Sequence, residues 1–553
     1  MKRQTTARAL YTAGGAGVIG GALVIVALAS LLVLPVRETL AAGPNESHVV
    51  VILPGELDVS VRPISFTGQI SGPVALEMAG FDMVAVGDTV CAIEGVGCPD
   101  ATDIGSCFCP DNFWAQAPWD AATETWDTTT FPLPLMSDGD VRGFRGAISF
   151  ATWGPPRYPA PAYVAASDAL EWLRGKQSPT DGGYGTAYET VNTLLAVGAN
   201  HLDAASWRRG TSSPSLLTYE LGTGAEYANG TTGRSAMLAV GLAATGGCWP
   251  FGTRKPMDFY DPATGEFDAW NLNHAWAMLG TSALSQTVPA SASQHLKGQV
   301  NADGGWAWST PPDDSDTNAT ALAVQALVAA GEPLSSGVIT NALNYLKSAQ
   351  NTDGGFPYTT SSPDTNSTAW AVQAILAGGE DPLTGRWVVS SSDPLSYLLS
   401  IQLPDGSFEY QVGGGSNLLA TQQAVGALLR QPFPLKAVDL PLCYGIAGQV
   451  VSGTLPVGAG ASAATGDPVA GVVMWAEAAG DLYADTTTSS GSYTISVPGA
   501  GSYTLTPYRS GYVFSPTSRS VTVSGNPGHI SHVGVFVGDV RHNTYLPVTL
   551  RDS

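Results

Sequence analysis

Asp303-Gly304-Gly305-Trp306, followed by Thr320-Ala321-Leu322-Ala323-Val324-Gln325-Ala326-Leu327, is the stretch that decides the fold. A turn with two glycines and an aromatic leads into an Ala- and Leu-rich segment that opens on a small polar residue. The phrase returns as Asp353-Gly354-Gly355-Phe356 with Thr368-Ala369-Trp370-Ala371-Val372-Gln373-Ala374-Ile375. Further copies of the turn stand at Asp181-Gly182-Gly183-Tyr184, after Gln177, and at Asp405-Gly406-Ser407-Phe408. The last three turns are 50 and 52 residues apart. Glycine reaches positive φ without a Cβ penalty, and the aromatic has enough area to pack between two layers.

The segment after each turn is apolar on nearly every side, so it reads as a helix buried from two directions. Aligned on one position, six such helices start at Thr190, Ser235, Leu272, Thr320, Thr368 and Thr421. Their partners are more amphipathic. Ala342-Leu343-Asn344-Tyr345-Leu346-Lys347 keeps one wet face and belongs outside. Six two-helix units predict a repeat architecture. Six is also the number of units that closes an α/α toroid, here over residues 160–435.

Outward from the repeat, the chain changes character on both sides. Residues 46–155 read as β, with strand candidates at His48 to Leu53, Val84 to Ile93 and Gly146 to Trp153. Residues 443–538 alternate short strands with Gly, Pro and Ser turns, which predicts a β-sandwich. Residues 539–553 form a C-terminal tail. The predicted fold class is therefore multidomain α and β: an α6/α6 toroid flanked by an N-terminal small β domain and a C-terminal β-sandwich.

Residues 1–42 supply an address. Lys2, Arg3 and Arg8 precede an apolar run from Val18 to Leu34, and small residues follow near Thr39 and Ala41. That pattern predicts a signal peptide or, if uncleaved, an N-terminal membrane anchor. Either places the rest of the chain outside, extracellular or at the cell surface. Six cysteines suit an oxidising compartment. Cys91, Cys98, Cys107 and Cys109 cluster and are disulfide candidates, whereas Cys248 and Cys443 stand alone. A Cys107–Cys109 bridge would strain its short loop, so each is expected to pair with Cys91 or Cys98. The net charge of −22, from 24 Lys+Arg and 46 Asp+Glu, argues against nucleic acid as a partner.

The turn and the Thr-Ala-x-x-x-Gln-Ala-Leu helix resemble the prenyltransferase/squalene-cyclase repeat. That superfamily of α6/α6 toroids includes terpenoid cyclases, protein prenyltransferase β subunits, complement thioester domains and vitamin B12 carriers, so the resemblance implies a fold and not a reaction. Val90-Cys91-Ala92-Ile93-Glu94-Gly95-Val96-Gly97-Cys98, Cys107-Phe108-Cys109 running to Phe113-Trp114, and Asp138-Gly139-Asp140-Val141-Arg142-Gly143-Phe144 resemble the small β domain of transcobalamin and intrinsic factor. In the animal carriers that domain follows the toroid; here it precedes it. The C-terminal segment resembles the carboxypeptidase-regulatory-like domain of bacterial surface proteins, usually a stalk or spacer.

Two chemistries compete in the toroid. Class II terpenoid cyclases protonate an alkene with the middle Asp of Asp-x-Asp-Asp, and the nearest string here is Asp314-Ser315-Asp316-Thr317. The last Asp is missing. Asp364-Thr365-Asn366 parallels Asp316-Thr317-Asn318, so Asp-Thr-Asn reads as a helix-start signal. Asp314 and Asp316 remain the catalytic alternative. A prenyltransferase zinc set would need Asp258, Cys248 and His274, but their spacing does not match, and no metal site is expected. The B12-carrier resemblance implies a ligand clamped between the toroid mouth and the β domain. It assigns ligand contact to Asp316, Asn318, Asp364, Asn366 and Gln422, to Trp114 from the β domain, and to His274 as a residue reaching a metal centre.

These readings converge on an exported or surface-anchored binding protein with cobalamin-carrier-like architecture. A small ligand sits beside the toroid mouth, and the resemblance implies cobalamin or another corrinoid as that ligand; no other cofactor is implied. Binding is favoured over catalysis. The alternatives are a divergent class II terpenoid (squalene-type) cyclase, an isomerase, and a structural or adhesion surface protein with protein partners. A toroid centre filled by side chains would favour the last over both others.

Overall fold

The computed structural model describes residues 45–54, 59–107, 113–130, 132–147, 154–309, 313–359, 362–435, 442–453 and 466–540. The predicted leader or anchor, residues 1–42, lies outside the described residues, as do Cys109 and most of the C-terminal tail. Among the described residues no helix is long and apolar enough to cross a membrane.

The N-terminal part is built on a five-stranded sheet ordered 59–66, 45–52, 141–147, 113–120, 125–126. Strand Asn45–Ile52 runs parallel to Val141–Ala147 and antiparallel to Val59–Phe66. It is buried on both faces. Val49 and Val51 pack with Ile64, Phe66, Phe144 and the short helix α1 (Gly72–Met78), while Val50 and Ile52 join the core of the helical part. This is why the strand lacks a polar alternation. A second sheet pairs Met83–Val86, Thr89–Ile93 and Val96–Gly97. Strand Val141–Ala147 overlaps the strand expected from Gly146 to Trp153 at its start, and residues 148–153 lie outside the described residues.

The helical part is a toroid. Its inner helices are α3 (Ala187–Ala199), α5 (Thr232–Ala244), α6 (Asn271–Ala283), α8 (Thr317–Ala329), α10 (Thr365–Ala377) and α12 (Leu418–Leu428). Each packs on the next, and α12 returns to α3, so the ring closes. Outside them lie α2 (Ala160–Lys176), α4 (Leu216–Gly230), α7 (Ala290–Gly298), α9 (Gly337–Ala349) and α11 (Pro394–Ser400). The outer position of the third unit holds only a 3-10 turn, Pro256–Phe259, packed on α5 and α6. Pro250, Gly252, Pro256 and Pro262 crowd that unit, and proline and glycine deny it a full outer helix.

The repeating turn explains the repeating polar residue. The aromatic of each turn donates its backbone N–H to the hydroxyl of the aligned threonine: Tyr184 to Thr190, Trp306 to Thr320, Phe356 to Thr368 and Phe408 to Thr421, at 2.9–3.0 Å. Within each of these units, turn and inner helix thus share one buried hydrogen bond that a non-polar residue would leave open. The first glycine makes the other contact. Gly354 sits at φ +90°, and a Cβ there would lie 2.3 Å from the Asp393 carbonyl at the head of α11. Gly406 meets Asp168 of α2 in the same way, at 2.5 Å, which joins the last unit to the first.

The C-terminal part forms two sheets. One is ordered 492–497, 444–452, 536–540, 512–515; the other 481–486, 473–478, 501–508, 519–523. Its inner face is continuous with the toroid core, and strand Asp481–Thr486 packs on α4. Arg208 pairs with Asp481, and Phe251 N–H donates to Ser496 Oγ at 3.0 Å. Cys248 and Cys443, which in sequence stand alone, form a disulfide across 195 residues that ties the start of the sandwich to the toroid. Cys91 pairs with Cys107, and Cys98 is disulfide-bonded as well. These bridges fit an oxidising compartment.

Candidate functional site at the toroid mouth

The N-termini of the inner helices converge on one end of the ring. Asp316 caps α8, accepting from Ala319 N–H at 2.7 Å, and Asp364 caps α10, accepting from Ser367 N–H at 2.8 Å. Both carboxylates are almost fully buried. Burial raises the Asp316 pKa to about 6, against backbone N–H groups that pull it down; burial raises Asp364 too. Capping and facing a ligand are compatible, because the cap sits where the helix opens to the mouth.

Between these caps stands a rim of exposed aromatics. Trp308, Tyr358 and Tyr410 each follow the buried aromatic of a turn by two residues, in Trp306-Ala307-Trp308, Phe356-Pro357-Tyr358 and Phe408-Glu409-Tyr410. The first member of each pair is fully buried, while Trp308 is 49% exposed, Tyr358 38% and Tyr410 42%. Their carbonyls accept the first helical N–H groups of the preceding inner helices: Leu272 to Trp308 at 3.2 Å, Thr317 to Tyr358 and Thr365 to Tyr410 at 3.0 Å. The backbone thus pins an outward aromatic at the head of each unit. Trp270 meets Trp308 edge-to-face at 5.4 Å. This alternation of a core aromatic and a rim aromatic is visible in the sequence, and a reading that scored only the first aromatic of each turn misses it.

Two adjoining clefts result. One, of about 320 Å³, is lined by Tyr188, Leu272, Trp308, Asp316, Asn318, Tyr358, Asp364, Asn366, Trp370, Tyr410, Leu419 and Gln423. The other, about 270 Å³, is lined by Trp270, Ala307, Trp308, Ser309, Asp313, Asp314, Asp316, Tyr358 and Thr359. Among the described residues no Lys, Arg or His lines either. The Oδ1 atoms of Asn318 and Asn366 are buried without a hydrogen-bond partner among the described residues.

Below the mouth the lumen is closed. Trp276, Trp370 and Phe433 fill it, with Phe433 5.0 Å from Trp276. What remains is a void of about 20 Å³, room for about one water. Phe433 lies on the segment that follows α12 and turns back into the ring. The repeat glutamines hold that segment: Gln373 Nε2 donates to Gln431 O at 2.6 Å, and Phe433 N–H donates to Gln325 Oε1 at 2.7 Å.

Of the residues expected at the ligand, Asp316, Asn318, Asp364 and Asn366 come together at the mouth. Asp314 shares the second cleft with Asp316 but is exposed. Three expectations fail. His274 is fully buried; its Nδ1 accepts from Phe267 N–H at 3.2 Å and its Nε2 lies 3.0 Å from Ala292 O. Burial lowers its pKa to about 4, so it is a neutral packing residue. Gln422 turns away from the mouth and donates to Glu189 O and Thr193 Oγ1, at 2.8 and 2.7 Å, closing α12 onto α3. Its neighbour Gln423 faces the mouth instead, one helical step being about 100°. Trp114 donates its indole N–H to Val96 O at 2.9 Å inside the β domain and lines neither cleft.

The reason for the last failure is where the β domain docks. Asn200, which ends α3, clasps strand Val59–Phe66 through both side-chain atoms, to Val61 N–H at 2.7 Å and Val61 O at 2.9 Å. That is the C-terminal end of the inner ring, about 20 Å along a helix of this length from the mouth. A ligand touching the Asp-Thr-Asn starts therefore does not also touch the β domain. A separate cleft of about 520 Å³ lies at that docking end, beside Arg62, Phe81 and Glu94. Cys248 is consumed by its disulfide and His274 by the core, so the zinc set cannot assemble.

With this geometry in view, residues 268–429 match the prenyltransferase alpha-alpha toroid domain family. A search of curated proteins finds no match. Among solved structures, the type II terpene cyclase MstE from Scytonema is similar at 14% identity over 49% of this chain and 97% of that one, with a TM-score of 0.32. A polysaccharide lyase (12%, 49% and 96%, TM-score 0.33) and Candida albicans protein geranylgeranyltransferase-I complexed with GGPP (15%, 49% and 86%, TM-score 0.29) are also similar. At that level of likeness these neighbours say nothing about ligand or reaction.

Proposed function

We propose that this protein is an exported, non-catalytic binding protein whose ligand sits in the aromatic and carboxylate cleft at the toroid mouth. The observation that carries the reading is the rim: three repeat units present an exposed aromatic, beside two buried acceptors, Asn318 Oδ1 and Asn366 Oδ1, that lack partners among the described residues. Large aromatics grouped around a few convergent polar groups are the make-up of a ligand site. The closed lumen keeps a ligand at the mouth from entering the ring. A corrinoid held between mouth and β domain loses its support, because the two lie at opposite ends of the inner helices.

The test is tryptophan fluorescence and equilibrium dialysis on the full chain with neutral sugars, alkylammonium ions, cobalamin and cobinamide. Binding of at least one probe, weakened at least tenfold in Trp308→Ala, is expected. A panel in which no probe responds to Trp308→Ala sinks the proposal.

A cyclase remains the second reading, and Asp316 favours it: a buried carboxyl with a pKa near 6 stands in an aromatic cleft. Product from squalene that disappears in Asp316→Ala would establish it. Against it stands the filled lumen, which leaves a polyprenyl chain no chamber. The same filling favours a structural or adhesion role, in which the mouth docks a protein segment and none of the small probes binds.

A further inference from the structure

The chemistry of the mouth narrows the ligand class, on the premise that the mouth is a ligand site. Its buried polar side-chain atoms that lack a partner among the described residues are acceptors. The Oδ1 atoms of Asn318 and Asn366, the latter on a residue only 8% exposed, lack a donor among the described residues, and beside them lie the Asp316 and Asp364 carboxylates, which already accept from their helix-cap N–H groups. Among the described residues no basic residue lines either cleft to balance the negative charge. Anionic ligands such as diphosphates or uronates are repelled, since like charges in a partly desolvated site cost far more than in water. A neutral polyol would satisfy the acceptors but leave the carboxylates uncompensated. A cation with N–H donors meets both demands, and the rim aromatics offer their faces to it.

The two clefts share Trp308, Asp316 and Tyr358, and each carries its own acid: Asp364 in one, Asp313 and Asp314 in the other. Two acidic subsites joined by an aromatic waist suit a molecule charged at both ends with an apolar stem between. We propose that the mouth binds a linear protonated polyamine, with one ammonium at Asp364 and the Asn366 carbonyl, the other at Asp313 and Asp314, and the methylene stem against Trp308 and Tyr358.

Isothermal titration of the full chain with spermidine, tetramethylammonium and cellobiose tests this. Spermidine is expected to bind with one site, weakening as salt rises, and to exceed tetramethylammonium, which has no N–H to give. Asp364→Asn keeps a capping side chain and should weaken spermidine at least tenfold. Trp308→Ala, on an exposed rim residue, should do the same, while Asp100→Asn in the β domain should change nothing. Equal loss in Asp100→Asn, or no loss in the two mouth variants, would mean diffuse attraction to an acidic surface and overturns the proposal. Cellobiose binding that depends on Trp308, without spermidine binding, overturns the ligand class and leaves the mouth as a binding site. Absence of spermidine binding altogether also overturns the class, and the wider probe panel then decides the site.

Discussion

Glu220 on α4 is fully buried, with neither carboxylate oxygen paired among the described residues, and burial raises its pKa to about 8. It is therefore protonated when folded near neutral pH, while the unfolded chain ionises it near 4.5. Proton linkage then sets the sign: its contribution is fully present below the unfolded value and is lost as pH rises toward 8. Glu220→Leu should raise the melting temperature relative to the parent by an amount that grows from pH 5 to pH 8, by a few degrees. A difference that stays flat with pH would show that Glu220 has partners in solution. Nothing in the sequence marks this residue: Tyr219-Glu220-Leu221 reads as an ordinary outer-helix face, but its carboxylate lies beside Gly224, on the face of α4 that meets Leu238 of α5 and Pro250.

The element that repeats is a helix start coupled to a turn. The hydroxyl of Thr368 accepts from Phe356 N–H at 2.9 Å and donates to Asp364 O at 2.7 Å, all inside the core. Thr368→Val keeps the shape and strands the Phe356 N–H, which should cost about 1–3 kcal/mol in chemical denaturation. Gly354→Ala should cost more than the usual glycine penalty of about 1 kcal/mol, because the new Cβ meets the Asp393 carbonyl as well as an unfavourable φ. If Gly354→Ala melts with the parent, the turn does not carry the inter-unit contact. These elements were legible in sequence because the constraint is local: the turn aromatic and its threonine lie 6 to 14 residues apart, and the pattern recurs. The rim aromatics were equally local, yet their exposure depends on which way the strand-like segment after the turn faces. That direction is set by backbone bonds to the preceding inner helix.

At the scale of the molecule, one covalent tie joins the ring to the sandwich and one plug fills the ring. The Cys248–Cys443 bridge closes a loop of 195 residues. Chain-entropy arguments put its contribution at about 5 kcal/mol. Replacing both cysteines by serine should lower the melting temperature and make it insensitive to reductant at this site. An unchanged melting temperature would mean that the packing on α4 alone holds the sandwich. Phe433 plugs the lumen between Gln325 and Gln373, and its side chain converts a ring with an open centre into a solid one.

The sequence by itself determined the toroid, its six inner helices and the flanking β parts. Those follow from periodicity and from turn chemistry, which act between neighbours in the chain. It also placed Asp316, Asn318, Asp364 and Asn366 together, because equivalent positions in a ring share one end. Only the tertiary structure decided that His274 and Gln422 are internal, that Cys248 finds Cys443, and that the lumen is filled. It also decided that the β domain docks about 20 Å from the mouth, at the far end of the inner helices. Each of these is a contact between segments far apart in sequence, selected by the shape and burial of surfaces that exist only after the ring has closed. Local pattern carries no record of such contacts, and so the toroid was readable where its clamp was not.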